Sequence, residues 1–259
     1  MSIATWRVRT CAQLAAAVFF LLSSTAIVTA QPPSPPPPLW DTQVGAAFVG
    51  TSGNTETSTF GADFLVNRRW PVWRLAGAAG AVRASDDGEP TAERYSATLR
   101  SDRVLTSFLS LTAGEKGERD ELAGIALRNI ADGGLSWALI RQPRWTLDGL
   151  TSMAWIYENQ IGGPKTNSPA GVFQLLSKVP FAAGADTTQR FTYYPNFDVA
   201  VAYRSEAEIT AQAAMNNLFA LKFGFLWRYS NQPVFGFEKT DTTTTASIVV
   251  GWRSPTPAP

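Results

Sequence analysis

The chain has 259 residues, 45% of them hydrophobic, with 22 Lys/Arg against 21 Asp/Glu and no histidine. Near-neutral charge removes the electrostatic footprint of a nucleic-acid binder. The missing histidine removes Ser-His-Asp and Cys-His catalysis, histidine acid–base work and most transition-metal sites together.

The first thirty residues read as an export signal: Arg7 and Arg9, then the apolar run Ala15–Leu22, then small residues at Val28-Thr29-Ala30. The apolar run is shorter than the roughly 20 residues a helical span needs, so a membrane anchor is disfavoured. Cys11, the single cysteine, lies inside this signal, so the mature chain is expected to fold without disulfides. Two arginines and no acid leave with the signal, which gives the mature chain a net charge of −1. Gln31–Leu39 contains QPPSPPPP and reads as a polyproline-like periplasmic spacer. No later stretch is long and apolar enough for a transmembrane helix.

From Trp40 a period of two takes over. Trp40, Val44, Ala46 and Phe48 alternate with Asp41, Gln43, Gly45 and Ala47. After the turn at Thr51-Ser52-Gly53-Asn54, Phe60, Ala62, Phe64 and Val66 alternate with Thr59, Gly61, Asp63 and Asn67. Alternation of this length predicts a β-hairpin with one apolar and one polar face, longer than a usual globular strand and suited to a tilted membrane crossing. A third strand spans Val72–Arg83. In a fourth, Tyr95, Ala97 and Leu99 oppose Arg94, Ser96, Thr98, Arg100 and Asp102. A fifth carries Leu109, Leu111 and Ala113, and a sixth runs from about Leu122 to Ile140. The seventh sets Trp145, Leu147, Met153, Trp155 and Tyr157 against Asp148, Ser152 and Glu158, with Leu150 and Ile156 as exceptions. Strands eight and nine fall near 170–181 and 187–195. The tenth sets Ile209, Ala211, Ala213 and Met215 against Glu206, Glu208, Thr210 and Gln212. Strand eleven is the clearest, with Phe219, Leu221, Phe223, Phe225, Trp227 and Tyr229 opposite Lys222, Gly224, Arg228 and Ser230. Ala246, Ile248, Val250 and Trp252 close the twelfth.

The pattern predicts an all-β fold, an antiparallel up-and-down transmembrane barrel of about twelve strands over 40–253, followed by a disordered tail at 254–259. Short turns at Arg68–Pro71, Arg103–Thr106, Arg141–Pro143 and Met215–Asn217 alternate with longer polar connections at Ala84–Ala92, Glu115–Glu121, Asn159–Pro169 and Gln232–Asp241. That alternation matches periplasmic turns against external loops. Trp40, Trp70, Trp73, Trp145, Tyr157, Trp227, Tyr229 and Trp252 are expected to form aromatic girdles. The many Ala and Gly on the apolar face favour contact with lipid over the filling of a wide soluble barrel. The alternative is a soluble periplasmic barrel or sandwich that binds a ligand, its apolar face turned inward.

Gly53-Asn54-Thr55-Glu56-Thr57, Arg119-Asp120, Ala123-Gly124-Ile125, Leu127-Arg128 and Lys239-Thr240-Asp241-Thr242 stand in an order that resembles the YdiY-like family of salt-induced outer-membrane proteins, a domain of unknown function (481). The likeness covers nearly all of 40–252. Gly133-Gly134-Leu135-Ser136-Trp137 departs from the Gly-x-Gly-Tyr pattern expected of the family. The resemblance implies an outer-membrane barrel linked to salt or envelope stress and supplies no catalytic residues.

The expected role is structural or passive transport, porin-like and not enzymatic, in the bacterial outer membrane. Asp63, Arg94, Arg100, Asp148, Glu206, Glu208, Lys222 and Arg228 are expected to line the lumen. Glu206 and Glu208 lie two apart on one face, nearly 7 Å between Cβ atoms, within range for a carboxylate pair. They read better as lumen charges balanced by arginine. Asp86, Asp87 and Glu89 offer oxygen ligands for calcium but match no full EF-hand spacing and read as a solvated loop. Asp120 with Arg128, and Lys239 with Asp241, are candidate ion pairs. No cofactor or metal is expected. The expected partners are outer-membrane lipid, the barrel-assembly machinery during biogenesis, and a small solute in the lumen.

Overall fold

The computed structural model describes residues 39–52, 57–86 and 89–253. The signal stretch, most of the proline-rich spacer, the turn at 53–56, Asp87 with its calcium reading, and the tail lie outside the described residues. Twelve strands appear among those described: β1 Trp40–Ser52, β2 Thr57–Arg69, β3 Trp73–Asp86, β4 Glu89–Val104, β5 Leu109–Asp120, β6 Ile125–Gln142, β7 Trp145–Gln160, β8 Lys165–Ala182, β9 Ala185–Tyr194, β10 Arg204–Ala214, β11 Phe219–Ser230 and β12 Thr240–Arg253. Each pairs antiparallel with its sequence neighbour, and β1 pairs with β12 to close the barrel. Closure gives every strand a paired neighbour on both sides, so the sheet has no free edge strand and is held by its ladders without a disulfide. A 12-residue strand such as β11 rises about 40 Å along its axis. At a tilt of about 40° it spans about 30 Å, enough for the ~25 Å apolar band of an outer-membrane barrel.

The apolar face points outward. On β11, Phe219, Leu221, Phe223 and Phe225 are all exposed, Phe223 at 53%. Lys222 turns the other way and pairs with Asp63 of β2, three strands distant around the wall. The same holds on β7, where Met153 and Trp155 are exposed while Leu150, Ser152, Ala154 and Ile156 are buried. The alternative with an apolar core turned inward is therefore set aside. Leu150 and Ile156, exceptions to the apolar-face pattern, lie on the interior face in step with Ser152 and Glu158. With Ile130, Ala154, Ala170, Val172 and Tyr194 they form an apolar cluster on β6–β9.

Connections at the end where β1 begins are tight: 70–72, 105–108, 143–144, 183–184 and 215–218. The other end carries the long loops 195–203 and 231–239. Three connections expected to be long are largely strand instead, and at Asn159–Pro169 β7 runs to Gln160 and β8 starts at Lys165, leaving only 161–164 between them. β3 runs to Asp86 and β4 resumes at Glu89. β5 runs to Asp120, followed by a single 3-10 turn at Glu121–Ala123. The charges of Glu115–Glu121 read as loop because a polar face turned into a barrel looks like a solvated loop when only polarity is counted. Gly133 and Gly134 sit in continuous register with both neighbouring strands, and the bulges of β6 fall at Ile125/Leu127 and Ala138/Ile140.

Aromatic side chains gather near the strand ends. Trp40, Trp70, Trp73 and Trp145 are exposed at the tight-turn end. Arg68 lies over the rings of Trp40 and Trp70, 4.3 and 5.0 Å from their centroids. At the long-loop end Trp227 stacks on Tyr229 with centroids 6.0 Å apart. Such amphipathic rings suit the level of lipid headgroups.

Candidate functional site in the barrel interior

Alternation places every second residue of each strand inside, and on β4, β5, β10 and β11 many of these are charged. Lys116, Glu118 and Asp120 follow one another on the inner face of β5. Lys116 Nζ reaches Glu118 at 3.3 Å and Glu206 of β10 at 3.1 Å. Glu118 also accepts from Arg128 Nη1 of β6. Arg128 Nε donates to Glu158 Oε2 of β7 at 2.7 Å, and Arg204 Nη1 of β10 donates to the same oxygen at 2.8 Å. The six charges Glu206, Lys116, Glu118, Arg128, Glu158 and Arg204 thus alternate in sign along one circuit that begins and ends on β10.

A second chain crosses the full width of the barrel. Asp120 Oδ2 accepts from Arg94 Nε at 2.9 Å and from Arg228 Nη1 at 2.7 Å. β5 and β11 are six strands apart in a ring of twelve, so Asp120–Arg228 joins opposite walls. Arg94 Nη1 also donates to Thr243 Oγ1 of β12 at 3.1 Å. Asp120 is only 1% exposed, and its Oδ1 with Arg228 Nε and Nη2 finds no partner. Buried polar atoms left without partners are expensive and rare, so this crossing holds together on one shared oxygen.

Two further interior contacts sit apart from these chains. Arg100 Nη2 and Nη1 donate to the two oxygens of Asp132 at 2.7 and 3.1 Å, a bidentate geometry favoured by guanidinium. Ser152 Oγ donates to Asp132 at 2.8 Å. To reach β6 from β4, Arg100 passes over Gly114 of β5, where a Cβ would stand 2.6 Å from its Nη2. Lys222 and Asp63 meet at 3.5 Å. There Gly45 makes the room, since its Cβ would stand 2.5 Å from Asp63 Oδ1.

Of the residues expected in the lumen, Arg94 and Arg228 come together on Asp120 in the central crossing, Glu206 ends the alternating circuit on Lys116, and Arg100, Asp63 and Lys222 take part in the two separate contacts. Glu208 pairs with Arg190 of the adjacent β9 at 3.0 Å. Asp148 pairs with Arg141 near the tight-turn end. Glu206 and Glu208 therefore each hold their own cation. Asp120 does not pair with Arg128: it takes Arg94 and Arg228, while Arg128 takes Glu118 and Glu158. Lys116, Glu118, Asp132 and Arg204 were not singled out from the sequence. The strict alternation of Lys116, Glu118 and Asp120 with Glu115, Gly117 and Arg119 was the signal that could have found the first two.

Above the central crossing, toward the long loops, lies a cavity of about 350 Å³. Its floor includes Arg128, Glu158, Arg204, Glu206 and Arg228, and one wall includes Ile125, Ile156 and Ala170. Loops 195–203 and 231–239 line it from outside through Asp198, Val199, Val234 and Glu238. The second loop crosses the mouth: Phe237, between β11 and β12, packs on Gly124, between β5 and β6. A Cβ at Gly124 would stand 2.5 Å from Phe237 Cε2. Gly124 also has φ of 71°, a left-handed conformation that closes the 3-10 turn. Asn231 fastens one loop to the other through Tyr203 O at 3.0 Å and Val201 O at 2.8 Å. No group of His, Cys, Asp or Glu suited to a metal ion occurs among the described residues.

The fold is similar to that of solved outer-membrane barrels. The NanC porin superposes with a TM-score of 0.56 at 9% identity, covering 80% of this chain and 98% of the porin. An outer-membrane channel from Pseudomonas putida F1 gives a TM-score of 0.52 at 10% identity, covering 86% of this chain and 100% of the channel. No curated protein matches the chain in sequence. The family model for proteins of unknown function, DUF481, matches residues 44–252, so the chain belongs to that family.

Proposed function

We propose that this protein is a passive outer-membrane channel for small polar solutes, exported by its first thirty residues, inserted by the barrel-assembly machinery, and held closed in the conformation described. The observation that carries this reading is the make-up of the obstruction. Side chains alone bridge the interior, through Asp120–Arg228 and Lys116–Glu206, and the loops 195–203 and 231–239 cover the mouth. Side chains and loops rearrange without unfolding a barrel. Asp63, Arg94, Arg100, Asp148, Glu206, Glu208, Lys222 and Arg228 are the charges a solute meets along this route. The paired state of Glu206 and Glu208 favours charge balance over catalysis, because a catalytic carboxylate pair needs one member to hold a proton.

Planar-bilayer recording and proteoliposome swelling test the reading. The wild-type barrel is expected to show rare, brief openings. Asp120→Asn, which loosens the shared oxygen, is expected to raise open probability at least several-fold. A barrel that passes neither ions nor sugars as wild type, as Asp120→Asn, or with 233–237 shortened, is structural and not a channel. The salt-stress link has its own test: immunoblotting of outer membranes after a sodium chloride upshift is expected to show increased abundance.

A further inference from the structure

We infer that the cavity beneath the long loops binds a small amino-acid-like zwitterion, with its carboxylate held by Arg204. The inference deepens the channel reading by naming a solute class for it. Arg204 closes the alternating circuit with a single ion-pair partner, its guanidinium also lying 5.9 Å from the Tyr194 ring centroid. Its Nη1 bonds Glu158 Oε2, an oxygen already taken by Arg128 Nε. Its Nε and Nη2 donate to no described residue, and its side chain keeps 19% of its surface exposed while lining the cavity. Of the other floor cations, Arg128 spans Glu118 and Glu158, and Arg228 holds Asp120 with its unpartnered Nε and Nη2 wholly enclosed and turned away from any ligand-accessible surface. An open guanidinium edge is the fork geometry that takes a carboxylate by two parallel hydrogen bonds.

The remaining surfaces select among carboxylates. Ile125, Ile156, Ala170 and Val234 present an apolar wall that fits an aliphatic stem. The covering loop 195–203 brings Asp198 to the outer side of the cavity. A simple anion would meet this carboxylate unfavourably, whereas an ammonium on the far side of the ligand from its carboxylate would meet it favourably. A volume of about 350 Å³ lies at the small end of ligand pockets, which fits a single amino acid and excludes an oligomer.

The test uses the full mature chain in lipid nanodiscs and calorimetry with three probes of one shape: L-leucine, 4-methylpentanoate without the ammonium, and L-leucinamide without the carboxylate. L-Leucine is expected to bind at least ten-fold tighter than either analogue. Arg204→Gln is expected to weaken L-leucine at least ten-fold, and Arg204→Lys by less, with heat-modifiable gel migration confirming that both variants are folded. Undetectable L-leucine binding, or equal binding by folded Arg204→Gln, overturns the assignment. Equal affinity for 4-methylpentanoate overturns it in favour of a plain anion site. Binding and conduction are read separately: L-leucine binding without permeation sinks the channel alone, and conduction without binding sinks this site alone.

Discussion

Asp120 is the residue on which the most interior structure depends. Two guanidiniums share one of its oxygens, and its side chain is almost wholly enclosed. Removing one partner of a buried ion pair leaves an uncompensated charge, a loss of about 3–5 kcal/mol. Asp120→Ala strands both Arg94 and Arg228, and it is expected to lose that much in urea unfolding from lipid vesicles. A change under about 1 kcal/mol would mean that water already occupies the crossing. Gly114 is the counterpart by shape. Alanine there forces Arg100 off its bidentate grip on Asp132, so Gly114→Ala is expected to destabilise by about 1–3 kcal/mol. Glu115 is the odd residue on the outer face. It lies mid-way along β5, exposed, between Leu99 and Ala131 of the flanking strands. Among the described residues it has no hydrogen-bond or salt-bridge partner. A carboxylate facing lipid is unfavourable, less so than Arg or Lys, and Glu115→Leu is expected to stabilise the barrel by roughly 1 kcal/mol.

At the scale of the strand, β11 shows how one element divides two solvents. Its outer residues meet lipid through four exposed apolar side chains, and its inner residues carry Lys222 and Arg228 to Asp63 and Asp120. A charge at Phe223, near the strand's middle, is expected to cost about 2–4 kcal/mol. Site labelling checks the orientation directly, since Cys11 is the sole cysteine and export is expected to remove it. A fluorophore on Phe223→Cys is expected to be quenched by a lipid-soluble agent, and one on Lys222→Cys is not. Quenching at 222 in place of 223 would reverse the faces. β5 teaches the converse lesson. Its charged run lies within the barrel wall because each inner charge finds a partner across or along the wall, and polarity alone did not separate that from a loop.

At the scale of the molecule, the barrel is asymmetric inside. β6–β9 contribute the buried apolar cluster together with Arg128, Asp132 and Glu158, while β4, β5, β10 and β11 supply most of the other charges that reach to non-adjacent strands. Export bears on the whole chain as well. Cleavage after Ala30 is expected to leave Gln31 first, and intact mass of the protein from an outer-membrane fraction checks it. Met1 retained there would sink that reading.

The period of two along Trp40–Trp252 determined by itself that the chain is all-β, about how many strands it has, and which residues share its apolar face; closure of the barrel and the outward direction of that face came from the tertiary structure. Strand geometry sends successive side chains to opposite faces, so alternation carries that information locally, residue by residue. Strand eleven shows the alternation most plainly, with six apolar side chains in step, yet an inward-turned apolar face fits the same alternation, and the exposure of Phe223 in the closed barrel decides between them. The partners of the inner charges were not legible. Asp120 meets Arg228 across 108 residues and Lys116 meets Glu206 across 90, and only closure of the ring brings them within reach. The cavity was equally hidden, since it lies between loops and strand ends that share no sequence period. Alternation marks which residues face inward, but strand number, stagger and tilt together decide which of them stand opposite one another.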